Sequence, residues 1–71
     1  MKLTEAQRAC LETLDRYPMA AIKDRDRKQA MYQMALMEPP LVHSVYDLPR
    51  GGAVGRITPA GREALRREVV E

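Results

Sequence analysis

The chain reads as an α+β domain in which two helices precede a two-stranded antiparallel β-ribbon and a third helix closes it. Three local signals predict this order. Thr4 and Gln7 have the spacing of a capping box, in which each side chain satisfies an otherwise orphaned backbone N–H at a helix start. Pro49-Arg50-Gly51-Gly52 is a turn composition set between two short runs with strand character. Thr58-Pro59 then places a capping hydroxyl and a helix-initiating proline directly after the second run.

Length and composition bound the reading. With 71 residues and no internal repeat, low-complexity tract or linker, the chain has room for one domain spanning 1–71. Hydrophobic residues make up 45% of it, yet Phe and Trp are absent, so Leu, Ile, Val, Met, Ala and three Tyr must supply the core. Such a core is thin, and dimerisation would help it. The single cysteine, Cys10, excludes an intramolecular disulfide and falls on the apolar side of the first helix, as a packed thiol in a reducing compartment would. Met1-Lys2-Leu3-Thr4-Glu5 lacks the apolar run of a signal peptide, and no stretch approaches the ~20 apolar residues of a membrane span. A cytoplasmic protein is expected.

The first helix should begin near Glu5. Ala6, Cys10, Leu14 and Tyr17, joined by Leu3 and Leu11, recur at helical spacing, and Pro18 ends the element by disfavouring helical geometry at Tyr17. Met19-Ala20-Ala21-Ile22 is too short to classify and suits either an extended segment or one extra helical turn. Asp24 or Asp26 can cap the second helix, Asp26 with Gln29 forming another box-like pair, and the helix must stop by Glu38, ahead of Pro39-Pro40. At about 100° per residue, Ala30, Met34 and Met37 share a narrow arc flanked by Met31. That arc is the expected buried face. The opposite arc gathers Arg25, Lys28, Gln29, Tyr32 and Gln33, with Leu36 as its apolar member.

Leu41 to Leu48 is rich in β-branched and aromatic residues and reads as one strand, with Ala53-Val54-Gly55-Arg56-Ile57 as the return. In the last helix, Gly61, Ala64, Leu65 and Val69 form the expected inward stripe. Leu65, Val69 and Val70 are also available for a homodimer contact.

With the elements in that order, the chain resembles small prokaryotic winged helix-turn-helix domains, including those of MarR-like and PadR-like regulators. Those families often carry a segment of the form L-T-P-x-G-R-x-A-L where the ribbon runs into the closing helix, and here it reads Ile57-Thr58-Pro59-Ala60-Gly61-Arg62-Glu63-Ala64-Leu65. The opening Leu3-Thr4-Glu5-Ala6-Gln7-Arg8 is similar to the first-helix start of such proteins. The resemblance implies a winged-helix-like fold and DNA binding through the second helix and the ribbon turn. Only Met19 to Glu38 remains for the positioning and recognition helices, so the positioning helix is abbreviated or missing. The leucine these families place before the ribbon matches Leu36 or, with a one-residue gap, Met37, and the helical arc favours Met37 as the buried one.

Twelve Lys and Arg against ten Asp and Glu give a net charge of +2, so the placement of charge matters more than its sum. Lys23, Arg25, Arg27 and Lys28 cluster at the N-terminal end of the second helix, where the dipole favours anions and where Lys28, Gln29, Tyr32 and Gln33 can reach base edges or phosphates. Asp24 and Asp26 are interleaved, which also suits a self-neutralising solvated surface. Arg50 at the turn and Arg56 on the return strand are candidates for backbone contacts to duplex DNA. The methionines at 19, 31, 34 and 37 suit an adaptable binding surface, but with no Phe or Trp, core filling explains them more economically. Tyr32 and Leu36 beside arginines have the composition of a protein interface.

Catalysis has little to stand on. His43 and Cys10 are the only residues of their kinds and fall on separate elements, no cluster has metal-ligand spacing, and Gly51, Gly52 and Gly55 lack the spacing and the Lys-Ser/Thr pair of a phosphate loop. The expectation is a non-enzyme without cofactor. It is a small DNA-binding regulator or accessory protein, or alternatively a phage-type accessory or inhibitor protein that binds a host macromolecular complex.

Overall fold

A computed structural model describes residues 3–18 and 20–70, with side chains through 67. Among the described residues the chain forms α1 (Glu5–Arg16), α2 (Arg25–Ala35), β1 (Val42–Asp47), β2 (Ala53–Ile57) and α3 (Pro59–Val70). The two strands pair antiparallel before the last helix, so the predicted α+β, winged-helix-like order of three helices and a ribbon is observed. No helix among the described residues is long and apolar enough to cross a membrane.

Each helix starts where local chemistry starts it. The Thr4 hydroxyl accepts the Gln7 N–H at 3.1 Å, and the Gln7 side chain accepts the Thr4 N–H at 3.0 Å, completing the capping box of α1. Asp24 caps α2 by accepting the Arg27 N–H at 3.1 Å, so the alternative cap at Asp26 is not used. At α3 the Thr58 hydroxyl accepts the Gly61 N–H at 3.0 Å.

The core is Cys10, Leu11 and Leu14 of α1, Met31 and Met34 of α2, Val42 and Ile57 of the ribbon, and Leu65 of α3, with Leu3, Ile22, Leu41 and Ala53 completing it. Two expectations are corrected here. Tyr17 is not part of the α1 stripe: as C-cap its backbone leaves helical geometry, and the ring is 61% exposed. Leu65 is 8% exposed within its own core, so it is not available to a homodimer contact. The side chains of Val69 and Val70, also expected in that contact and, for Val69, in the inward stripe, lie outside the described residues. The choice between an extended segment and an extra turn at 19–22 falls to the first. Met19 lies outside the described residues, and Ile22 pairs in extended form with Ala53 through Ile22 N–H to Ala53 O at 2.7 Å and Ala53 N–H to Ile22 O at 2.9 Å. A strand-like bridge thus stands between α1 and α2.

Leu41 ties the second half together. Its N–H donates to Met34 O at 3.0 Å, and its carbonyl accepts the Thr58 N–H at 3.0 Å, joining the end of α2 to the start of α3. Gly61 packs so closely on this carbonyl that a Cβ there would lie 2.2 Å from Leu41 O. Of the two residues before the ribbon, Met37 packs partly against the core and Leu36 is 87% exposed, as the helical arc predicts.

The ribbon is not regular. Val42 pairs with Ile57 and His43 with Arg56, but Tyr46 then pairs with Val54 and Asp47 with Ala53, leaving two residues of β1 opposite Gly55 alone. Ser44 adopts a positive φ of 56° at this β-bulge. An extra residue shifts the side-chain parity of everything after it. Strict alternation from the buried Val42 would turn Asp47 to the outer face. The bulge instead sets Asp47 opposite the buried Ala53, on the side that packs against the helices.

Candidate nucleic-acid interface

Helix α2 buries Ala30, Met31 and Met34 and carries its long polar side chains on the other side. Arg25, Lys28, Gln29, Tyr32, Gln33 and Leu36 line one shallow groove open to solvent. This is the arc expected from helical periodicity, and the structure brings all of it together. Tyr32 is shared between the two sides, since its ring also packs partly against the core.

The groove is bounded by a residue that sequence reasoning missed. Asp47, at the end of β1, accepts a hydrogen bond from the Tyr32 hydroxyl through Oδ1, and the Lys28 ammonium lies 3.6 Å from the same oxygen. The Tyr32 hydrogen bond holds the Asp47 carboxyl below its ordinary 3.8. Desolvation opposes this shift, and Lys28 adds to it. Asp47 is therefore ionised at neutral pH. The hydrogen bond that the Tyr32 hydroxyl donates to Asp47, assisted by desolvation and by the carboxylate charge, raises Tyr32 above the ordinary 10.0, so the hydroxyl stays protonated and remains a donor.

The other candidates fall in three places. Lys23 lies over the ribbon turn, where its Cγ would stand 3.2 Å from a Cβ added at Gly52. Arg50 is exposed in that same turn, whose Gly51 and Gly52 have φ of 97° and 84°. It is three residues beyond Asp47, so at most about 11 Å of chain separates their Cα atoms. Arg27 faces the other way and lines the cleft toward α1 with Glu12, Asp15 and Arg16. Arg56 is paired with His43, exposed like it, on the face of the ribbon away from the helices. One helix face and one turn are thus brought near each other, and Arg27 and Arg56 are not.

Ion pairing divides the cations along a different line. Arg8, Arg62, Arg66 and Arg67, on α1 and α3, each pair with a carboxylate, Arg62 reaching across to Asp15 at 3.3 Å. Lys23, Arg25, Arg27, Arg50 and Arg56 make no ion pair among the described residues. Lys28 is the candidate cation that is already partnered.

Neither remaining reactive group enters this site. Burial pushes the Cys10 thiol from 9.0 up to about 11, against a lowering by the charge of Arg27, so it is protonated and packed in the core at neutral pH. His43 places Nδ1 3.0 Å from the Ser44 hydroxyl on the exposed side of the ribbon. Among the described residues, no group of three His, Cys, Asp or Glu side chains is placed to hold a metal ion. No protein-family model matches this chain, and neither a curated protein nor a solved structure matches it.

Proposed function

We propose that the chain is a small cytoplasmic DNA-binding module, a transcriptional regulator or accessory protein without catalysis or cofactor, that lays the outer face of α2 into the major groove and touches the backbone with its ribbon turn. The observation that carries this reading is the open face of Arg25, Lys28, Gln29, Tyr32 and Gln33, flanked at the ribbon turn by Lys23 and Arg50. An α2 of 11 residues is about 16 Å long, on the scale of a groove ~12 Å wide. Glutamines suit the paired donor and acceptor of adenine, and Arg25 suits guanine or phosphate. With a net charge of only +2, affinity for random sequence should be weak and strongly salt-dependent.

Fluorescence anisotropy with a short labelled duplex at low salt tests it. Binding should be detectable, and replacing Arg25 and Arg50 together by alanine should weaken it and flatten the plot of log affinity against log salt by about 0.9 for each phosphate no longer neutralised. Undetectable binding, or a double variant with unchanged affinity and slope, overturns the reading.

One observation favours a second reading, a protein-interaction module such as a phage-type inhibitor of a host complex. Leu36, 87% exposed, sits in the same groove as Tyr32 and Arg25. An apolar side chain beside an aromatic ring and arginine is a protein-interface composition. In that case Leu36→Ser would abolish co-purification of a stoichiometric partner, whereas duplex binding driven by the cations would tolerate it.

A further inference from the structure

Lys28 and Tyr32 stand one helical turn apart on the same face of α2, the i, i+4 spacing that brings two side chains to one point. Both reach Oδ1 of Asp47, the ammonium at 3.6 Å and the hydroxyl by a hydrogen bond. An ammonium and a phenol hydroxyl converging on one anionic oxygen are also the donor set for a non-bridging oxygen of a phosphodiester. The contact is superficial: the Asp47 side chain is 65% exposed and Lys28 35% exposed, so a ligand can reach the pair. Asp47 faces the helix because the bulge at Ser44 turns it there, and the neighbouring cations Arg25 and Arg50 pair with no carboxylate among the described residues. The Asp47 carboxylate therefore occupies a pair of converging donors that could otherwise take a phosphate, while Arg25 on the same face is left open.

We infer that Lys28 and Tyr32 form a phosphodiester-binding pair whose ligand position is filled, in the free protein, by the carboxylate of Asp47. The inference rests on the DNA-binding reading above and deepens it. Asp47 competes with backbone phosphate for the two donors and lowers affinity for any duplex, whatever its sequence. It keeps the face from holding random DNA until enough other contacts form to displace it. The contrary role is that Asp47 merely positions Lys28 and Tyr32 for the ligand, and the two roles have opposite signs.

Asp47→Asn tests this, because the amide keeps the shape and an acceptor for Tyr32 while removing the charge. On a random-sequence duplex at about 50 mM salt, the variant should bind about fivefold tighter than the natural chain, with a salt slope steeper by about 0.9, one phosphate. Lys28→Ala should remove that gain in the Asp47→Asn background and change affinity less than twofold when Asp47 is present. Asp47→Ser, smaller and equally neutral, should reproduce the gain, and circular dichroism checks that each variant is folded. If the natural chain binds and both neutral variants bind equally or more weakly, Asp47 is a positioning residue and the inference falls while the DNA reading stands. If no variant binds duplex at low salt, both fall.

Discussion

The junction of β2 with α3 and the contact of α2 with β1 both hold two elements together, and they do it with different physics. At the junction, the Thr58 hydroxyl is buried and fully used: it accepts from Gly61 N–H and donates to Pro40 O at 2.8 Å, while Gly61 lies against the Leu41 carbonyl. Each hydrogen bond here has one geometry, and breaking it would leave a buried polar group without a partner. Where α2 meets β1, Lys28 and Tyr32 meet Asp47 at the surface, where solvent and salt screen the attraction and another anion could take the carboxylate's place. The first region specifies a shape. The second leaves charged groups exchangeable, as binding requires.

The sharpest way to break this contrast is at Gly61. In a helix, Gly→Ala ordinarily gains about 1 kcal/mol from backbone entropy. Here the added methyl would stand 2.2 Å from Leu41 O and 2.8 Å from Ile57 Cγ1, and backbone cannot swing aside as a flexible side chain can. Overpacking typically costs about 1–3 kcal/mol, occasionally more, and a clash with backbone falls at the upper end, which outweighs the propensity gain. Gly61→Ala should therefore lose much of the stability of so small a domain, read as a large drop in urea midpoint. A midpoint equal to or above that of the natural chain would mean that α3 can move off the ribbon, and that the junction is no tighter than the surface contact.

Thr58 tests the same region one step lower. Thr58→Ala removes the cap on Gly61 and leaves Pro40 O without its donor, for a loss of about 1–2 kcal/mol. Thr58→Ser keeps the hydroxyl and should recover most of that loss. If serine is as damaging as alanine, the methyl group rather than the two hydrogen bonds holds the junction.

Much of this division is legible in the sequence because it is local. Thr4 with Gln7, Thr58 with Pro59, and Gly51-Gly52 act within four residues, and the α2 arc follows from helical pitch alone. What is not legible depends on partners distant in the chain. Ile22 is extended because Ala53 receives it, which no property of residues 19–22 announces. Leu65 reads both as part of the inward stripe of α3 and as a dimer contact, and only its packing against the other elements places it inside. Asp47 escapes sequence reasoning because the bulge rests on Ser44, a serine at positive φ, which is uncommon and has no composition signal of the kind Gly51-Gly52 gives. The candidate face is thus readable, and the carboxylate that occupies part of it is not.

The smallest expected effect lies at Leu36, and its smallness is the informative part. Residue 36 is the C-cap of α2, its N–H bonds to Gln33 O at 3.1 Å, and its side chain is 87% exposed, so Leu36→Ser removes little that folding buried. The change in stability should stay within about 0.5 kcal/mol. A leucine that contributes so little to the fold, in a chain short of large apolar residues, is available for a contact outside it. If Leu36→Ser costs stability on the scale of Thr58→Ala, the side chain is packed in solution, and the outer face of α2 belongs to the fold as the junction does. If stability is unchanged, duplex affinity separates the two roles of this face: unaltered binding leaves the cations and glutamines as its readers, and abolished binding shows that apolar contact is part of recognition.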